Sequence, residues 1–151
     1  MEKNPKKIEA KLYRKILEVI PIPCVDVVIV SGGKFLLTKR KNNPAKGKWF
    51  IPGGRVFKGE TLHRAVLRKV KEETGLKNFR IGKLLAVKDF FSTKSAFGPS
   101  THTIDSIFIV HASSEQKLKA DSQSSDMMWF SRVDKKWLKF VKEILYLASF
   151  E

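Results

Sequence analysis

The chain has 151 residues, of which 42% are hydrophobic and 30% charged, and it contains one cysteine. This length suits a single domain, 1–151, with a sizeable core, and the lone cysteine excludes an internal disulfide and fits a reducing cytoplasm. No run of about 18 apolar residues could span a membrane, and the charged N-terminus does not read as a signal peptide. The net charge is +15. Because the basic residues are spread over several segments, we favour a domain that attracts anionic small molecules, although nucleic acid is not excluded.

The first predicted element is an amphipathic helix over about 8–20, where an apolar residue recurs at every fourth position and Pro21 ends the pattern. The β-branched segment 24–30 predicts a strand, and a glycine turn returns the chain as a hairpin partner over 35–38. Asp26 is the only charge in the first strand. It is either an edge-strand residue that faces water or a ligand contact at a pocket.

A basic loop over 39–48 and a proline-glycine-glycine turn at 52–54 lead to the next helix, which is predicted over about 62–74. Thr61 is a suitable N-cap residue, and Gly75 is a suitable residue for the left-handed position that ends a helix. The expected order is therefore loop, helix, loop.

One carboxylate in this helix needs a special explanation. An apolar arc that should pack against the core consists of Leu62, Val66, Leu67 and Val70. Glu73 falls inside this arc and in the last helical turn, where burial and the helix dipole both disfavour an anion. A cation must compensate it. Lys69, one turn earlier, is one candidate, and a bound divalent metal is the other.

The rest of the chain predicts strands over 84–87, 103–111 and 127–131, with polar loops between them. A helix that begins at Asp134 and extends to about 149 has one apolar face opposite a row of lysines. The order is that of an α+β domain, and no linker divides it.

The segment 54–76 resembles the Nudix box, whose pattern is Gly, five residues, Glu, seven residues, then Arg-Glu-apolar-x-Glu-Glu-x-Gly-apolar. The positions that fit are Gly54, Glu60, Arg68, Val70, Glu72, Glu73, Gly75 and Leu76. One position departs, because Lys69 replaces the first helical glutamate. The resemblance implies the Nudix fold, an α/β/α sandwich in which helices cover a mixed β-sheet.

Residues 24–57 look most like the GDP-mannose mannosyl hydrolase branch of this family, and the similarity covers most of residues 22–133. That branch also lacks the first helical glutamate of the box. Its members resemble other Nudix enzymes in scaffold, but they direct water to the anomeric carbon and release GDP and the sugar. Other Nudix enzymes attack phosphorus and use several box glutamates to hold metal ions.

The resemblance implies a metal site built from the Gly53 carbonyl, the Glu73 carboxylate and the Gln123 amide oxygen. Such hard oxygen ligands suit Mg²⁺, with Mn²⁺ as a substitute, and substrate phosphates would complete the coordination shell.

The resemblance also implies a substrate site. Arg40 and Arg55 match arginines near the diphosphate and sugar, and Asp26 matches an aspartate at the sugar end. Guanidinium groups suit phosphate because they offer fixed pairs of donors. His102 precedes a strand near this site and is a further candidate for substrate contact. Arg68, the box arginine, either contacts substrate or pairs with a box glutamate.

Two positions depart from the mannosyl hydrolases. Ser124 stands where that branch has its histidine general base, and serine cannot serve alone near neutral pH, so Asp126 becomes the candidate base. Glu72 is retained, although the branch lacks it. A Glu72–Glu73 pair is the arrangement of pyrophosphatases, in which adjacent carboxylates hold more than one metal, so Glu72 is a second candidate ligand.

We therefore expect a Mg²⁺-dependent Nudix hydrolase of nucleoside diphosphate sugars, with GDP-mannose cleaved at the glycosyl carbon, and the resemblance implies a homodimer. One alternative is a Nudix pyrophosphatase that attacks phosphorus in a nucleoside diphosphate derivative or a nucleoside triphosphate. The other is a Nudix-shaped module that binds nucleotides or RNA without turnover, as Lys69, Ser124 and the charge of +15 would allow.

Overall fold

The computed structural model describes residues 7–93, 98–113, 117–119 and 124–151. Within these ranges the chain forms three helices and seven strands. In chain order they are α1 (Ala10–Val19), β1 (Ile22–Ser31), β2 (Lys34–Arg40), β3 (Trp49–Phe50), β4 (Gly53–Arg55), α2 (Leu62–Thr74), β5 (Phe79–Ser92), β6 (Thr101–Ala112), β7 (Ser124–Phe130) and α3 (Lys139–Leu147). In the same ranges, no helix is both long enough and apolar enough to cross a membrane.

The strands form one mixed sheet in the order β3-β2-β1-β6-β5, with β4 paired to β1 and β7 paired to β2. β1 and β6 are parallel, and the other pairs are antiparallel. Since β1 lies between β2 and β6, Asp26 is on a central strand, where it is only 5% exposed. The interpretation of Asp26 as an edge residue that faces water is therefore wrong.

Helices cover both faces of the sheet, because side chains alternate between the faces along each strand. One core joins α2 to the sheet and contains Val25, Val27, Ile29, Leu36, Ala65, Val66, Val70, Phe108 and Val110. The other joins α3 to the opposite face and contains Val28, Phe35, Leu37, Phe50, Ile107, Phe140, Val141, Ile144 and Leu145. This arrangement confirms the predicted α/β/α sandwich.

The bounds of α2 agree with the prediction because both ends carry local signals. The Thr61 hydroxyl accepts a hydrogen bond from the Arg64 N–H at 3.2 Å, and Gly75 adopts a left-handed conformation with φ of 71°. The apolar arc is narrower than predicted, however. Leu62 and Leu67 remain 40% and 39% exposed, and only the valines of the arc are fully buried.

Other elements differ from the prediction at their ends. Helix α3 begins at Lys139 rather than Asp134, because the Asp134 carboxylate accepts a hydrogen bond from the Lys136 N–H at 2.8 Å and closes a local turn instead. Strand β5 has 14 residues, far more than the predicted 84–87, since it pairs along almost the whole of β6. Helix α1 is shorter than predicted, whereas β1, β6 and the start of β7 extend further.

Candidate active site

A cavity of about 310 Å³ lies beside β1, where side chains from α1, α2, β4, β5 and β6 meet. Its volume is at the lower end of the range for small-molecule sites, about 300–1,000 Å³. Both signs of charge line it: the acidic residues are Asp26, Glu73 and Asp105, and the basic residues are Arg40, Arg55 and Lys69. Such a cavity suits a ligand that itself carries charge.

Two glycines of β4 leave space for one side chain of β1 and one of α2. A Cβ atom at Gly53 would overlap the Asp26 carboxylate, and one at Gly54 would lie 2.9 Å from the Lys69 Cε. The Gly53 N–H donates a hydrogen bond to the Glu73 Oε2 at 3.3 Å. Gly53 and Gly54, which were predicted in a turn, lie in β4 and are required for space beside the cavity.

Glu73 is paired with Lys69 across one helical turn. The Lys69 Nζ lies 2.7 Å from the Glu73 Oε1, and the two side chains are 13% and 8% exposed. The ammonium also lies 3.9 Å from Glu72. Lys69 is therefore a cation that compensates Glu73, as the first of the two explanations expected.

Two of the candidate metal ligands meet at the cavity. Among the described residues, no group of three or more His, Cys, Asp and Glu side chains is arranged to hold a metal. Glu73 and the backbone of Gly53 line the cavity, whereas Gln123 lies outside the described residues. Glu72 is exposed and lies 3.3 Å from an Arg68 nitrogen. One carboxylate and one backbone group fit a Mg²⁺ ion that takes its other ligands from substrate and water.

Arg68 has a structural role at this site. Its Nε donates to Glu60 at 3.0 Å, its Nη2 donates to the Arg55 carbonyl at 2.9 Å, and its guanidinium lies 3.7 Å from the centre of the Phe57 ring. The hydrogen bond from Arg68 lowers the pKa of Glu60. Arg68 is not one of the described residues that line the cavity. Its contacts instead fix the strand that carries Arg55.

The other two arginines line the cavity as expected. The Arg40 Nε donates to the Pro44 carbonyl at 2.6 Å, which anchors this side chain to the basic loop. The Arg55 guanidinium lies 4.7 Å from the Phe57 ring centre and 5.7 Å from that of Tyr13. Both guanidinium groups are thus held in place at the rim of the same cavity.

Two buried aspartates on neighbouring strands share the cavity with these cations. Cys24 is paired with Asp105 across β1 and β6, so Asp26, two residues further along β1, lies diagonally opposite Asp105 on the same face. Burial raises the pKa of Asp26 well above its usual range, and the charges of Asp105 and Glu73 raise it further. Asp105 was not among the predicted site residues, although it resembles Asp26 as the only charge in a predicted strand.

The surroundings of Asp105 explain its pKa. The residue is 4% exposed, and burial raises the pKa of its carboxyl group to about 6. Hydrogen bonds from the Thr103 hydroxyl, at 2.9 Å, and from the Cys24 thiol partly offset this rise. Asp105 is thus a carboxylate that titrates close to neutral pH at the wall of a cavity, which is a common property of functional sites.

Comparison with known proteins places this geometry in a family. The family model of the NUDIX domain matches residues 21–144. The chain belongs to the Nudix family. It is 39% identical over 125 residues to the ADP-ribose pyrophosphatase of Methanocaldococcus jannaschii, covering 83% of this chain and 69% of that protein. It is 35% identical over 130 residues to the low-salt glycan biosynthesis protein Agl8 of Haloferax volcanii, covering 85% and 83%.

The fold agrees with the same family. The crystal structure of a MutT Nudix hydrolase from Burkholderia pseudomallei superposes with a TM-score of 0.68 at 27% identity, over 85% of this chain and 98% of that one. The curated relatives are described by different activities, and neither similarity is much greater than the other. The Nudix hydrolase assignment is therefore confirmed.

Two candidates from the sequence lie elsewhere in this Nudix domain. The His102 Nε2 lies 2.7 Å from the Asp89 Oδ1, and the His102 ring stacks on Phe91 with 4.4 Å between centroids. Asp126 is exposed on β7, and its Oδ1 accepts a hydrogen bond from the Met127 N–H at 2.8 Å. Neither is among the described residues that line the cavity. Sequence spacing could not reveal this, because it depends on how β5, β6 and β7 are placed in the sheet.

Helix α1 contributes to the site although it lies before the matched residues 21–144. Tyr13 and Leu17 line the cavity. Burial raises the pKa of the Tyr13 phenol, and the nearby Arg55 charge partly offsets the rise. The amphipathic pattern predicted the helix but gave no signal that one of its faces borders a ligand site.

Proposed function

We propose that this Nudix hydrolase cleaves nucleoside diphosphate sugars, with GDP-mannose as the first candidate, by attack of water at the anomeric carbon. The observation that carries the proposal is the limited set of box carboxylates at the cavity. Glu73 lines it, whereas Glu72 is exposed beside Arg68, and Lys69 replaces the remaining helical glutamate. Attack at phosphorus, as other Nudix enzymes perform it, relies on several such glutamates.

The arginines would bind the diphosphate. Arg40 and Arg55 line the cavity, and each is held by a further contact, Arg40 by the Pro44 carbonyl and Arg55 by the Phe57 ring. When the glycosidic bond breaks, negative charge grows on the departing diphosphate. Positioned guanidinium groups stabilise such charge without further reorganisation.

The Glu73 carboxylate, the Gly53 carbonyl and the Gln123 amide would hold Mg²⁺, or Mn²⁺ in its place. The ion would neutralise charge on the leaving diphosphate. Because leaving-group departure dominates this reaction, one ion with few protein ligands suffices.

The aspartates would act at the sugar end. Asp26, in its ionised form, would stabilise positive charge on the sugar ring as the leaving group departs. For the general base we favour Asp105 over Asp126, because Asp105 lines the cavity and Asp126 is exposed on β7. A carboxyl group with a pKa of about 6 is mostly ionised at neutral pH and can take a proton from water.

A second candidate function is hydrolysis at phosphorus. It is favoured by the 39% identity to an ADP-ribose pyrophosphatase. In that case Glu72 would have to leave Arg68 and join Glu73 as a metal ligand. ADP-ribose would then yield AMP and ribose 5-phosphate.

The deciding experiment is product analysis after incubation of the protein with GDP-mannose or ADP-ribose and Mg²⁺. GDP and free mannose, with label from isotopic water on the mannose, would support the first candidate. GMP and mannose 1-phosphate, or AMP and ribose 5-phosphate, would support the second. Glu73→Gln is the control, since both candidates require this carboxylate.

One further part of the proposal concerns assembly. We propose a homodimer, for which the exposed apolar residues Leu12, Val19 and Ile20 of α1 and its C-terminal end offer a contact surface. Light scattering that gives the mass of one chain would refute it.

If no nucleotide is hydrolysed and RNA binding falls steeply with salt, the protein is instead a binding module.

A further inference from the structure

We propose that the ammonium group of Lys69 is a substrate-binding cation, which exchanges its Glu73 partner for the substrate diphosphate when a metal ion binds Glu73. The inference rests on the proposed function, because it requires a diphosphate ligand. Compared with the glutamate of the box pattern, a lysine at this position replaces a negative charge by a positive one.

The surroundings of Lys69 indicate a built position. Its side chain is 13% exposed and lines the cavity, although a lysine on a helix surface normally extends into water. A Cβ atom at Gly54 would lie 2.9 Å from the Lys69 Cε and 3.1 Å from its Nζ. The glycine of the box therefore provides the space that the lysine stem fills.

Lys71 on the same helix provides the contrast. Its side chain is exposed, and among the described residues that line the cavity it is absent. Two residues apart on a helix, Lys69 and Lys71 point about 200° apart around the axis. Only the first can therefore act at the cavity.

The ammonium can reach a ligand without a change of fold. It lies 2.7 Å from Glu73, at the cavity that Arg40 and Arg55 also line. A lysine has a flexible four-carbon stem and three rotatable donors, so small changes in its side-chain torsions can redirect it. A phosphate oxygen would then replace the Glu73 oxygen as its partner.

The exchange must be coupled, because neither charge can be left alone in a buried site. Removing one partner of a buried ion pair leaves an uncompensated charge, which is strongly unfavourable. A metal ion at Glu73 displaces Lys69, and the diphosphate receives it. A metal ion alone is therefore expected to bind weakly, since Lys69 competes for Glu73. Nucleotide binding should strengthen metal binding, and metal binding should strengthen nucleotide binding by the same factor.

The test removes the charge and measures each ligand separately. Lys69→Gln and Lys69→Met are compared with the wild type and with the matched control Lys71→Gln. Titration with Mn²⁺ alone, followed by electron paramagnetic resonance, should show about tenfold tighter binding in both Lys69 variants. Calorimetric titration with GDP at saturating Mg²⁺ should show about tenfold weaker binding, as expected for the loss of one charged hydrogen bond. Lys71→Gln should leave both affinities unchanged.

Unchanged GDP affinity, or weaker Mn²⁺ binding, in a folded Lys69 variant would overturn the inference while leaving the proposed function intact. A folded wild type that binds no GDP with or without Mg²⁺ would overturn both. If neither variant folds, the wild type can be labelled on its lysines by reductive methylation with isotopically labelled formaldehyde, with Lys69→Arg used to assign the signal. GDP added at saturating Mg²⁺ should then shift the Lys69 resonance, and an unshifted resonance would refute the proposal.

Discussion

Replacement of Asp105 by asparagine should stabilise the protein and impair its activity. Asp105 is 4% exposed, and burial raises the pKa of its carboxyl group from the usual 3.8 to about 6. Asparagine has nearly the same shape but cannot ionise. Its carbonyl oxygen can still accept the hydrogen bond that the Thr103 hydroxyl donates at 2.9 Å.

The size and sign of the effect follow from linkage. A pKa that is raised by about two units corresponds to about 3 kcal/mol, because each unit is worth 1.36 kcal/mol. The native state holds this proton more tightly than the unfolded state does. The free energy of unfolding therefore falls as pH rises from about 4 to about 6, and the whole penalty is present above that window. Asp105→Asn removes the penalty, so the gain should approach about 3 kcal/mol near pH 7.5 and vanish near pH 4.

Urea denaturation of the wild type and Asp105→Asn at several pH values from about 4 to about 7.5 measures this difference. The gain in free energy of unfolding must grow with pH. An equal difference at every pH, or destabilisation throughout, would refute the reasoning about the buried carboxylate. Asp126→Asn is the matched control, because an exposed carboxylate on the surface should change stability by no more than about 0.5 kcal/mol.

The same variants separate stability from catalysis. If Asp105 is the general base, Asp105→Asn should lower kcat by about 10²-fold or more with the substrate that product analysis identifies. A variant that is more stable but less active has lost a buried carboxyl group that costs stability and is needed for catalysis. Full activity in Asp105→Asn together with loss in Asp126→Asn would return the role of base to Asp126.

Further changes test the metal site and its support. Glu73→Gln should abolish Mg²⁺-dependent turnover, and full activity in this variant would refute its role as a ligand. Gln123→Ala should weaken Mn²⁺ binding in a direct titration and reduce the rate, and unchanged values would show that the loop is wrongly aligned with the family. Arg68→Ala should destabilise the protein by about 2 kcal/mol in urea denaturation, because it removes the charged hydrogen bonds to the half-buried Glu60 carboxylate, and a loss under about 0.5 kcal/mol would contradict this.

The features that could be predicted from sequence are those encoded locally. The spacing of the box, the Thr61 cap and the Gly75 stop all lie within one short segment, so α2 was placed at its observed bounds. The sandwich followed from the family resemblance. The identity of Glu73 as an unusual buried carboxylate followed from helical periodicity alone, and the structure confirms its burial.

The features that escaped prediction depend on contacts between distant segments. Asp105 reaches the cavity because the parallel register of β1 and β6 places it beside Cys24. Tyr13 reaches it because α1 packs near Arg55. Asp126 was assigned to the site by its nearness in sequence to Ser124. The β2–β7 pairing is irregular between them, however: Ser124 lies opposite Arg40 and Asp126 opposite Lys39. Because Lys39 and Arg40 are adjacent and point to opposite faces, Asp126 does not share the face of Ser124.

The balance of charge at the cavity gives a physical reason for the proposed metal ion. Among the described residues that line it, three carboxylates stand against three cations. A diphosphate group adds negative charge that this balanced set cannot neutralise, even though the net charge of the whole chain is +15. Burial and neighbouring carboxylates already raise the pKa of Asp26, so further negative charge would favour its protonation and remove the anion proposed to stabilise the sugar. A divalent cation bound with the diphosphate would offset this charge and lower the pKa of Asp26, which favours the ionised form where positive charge develops.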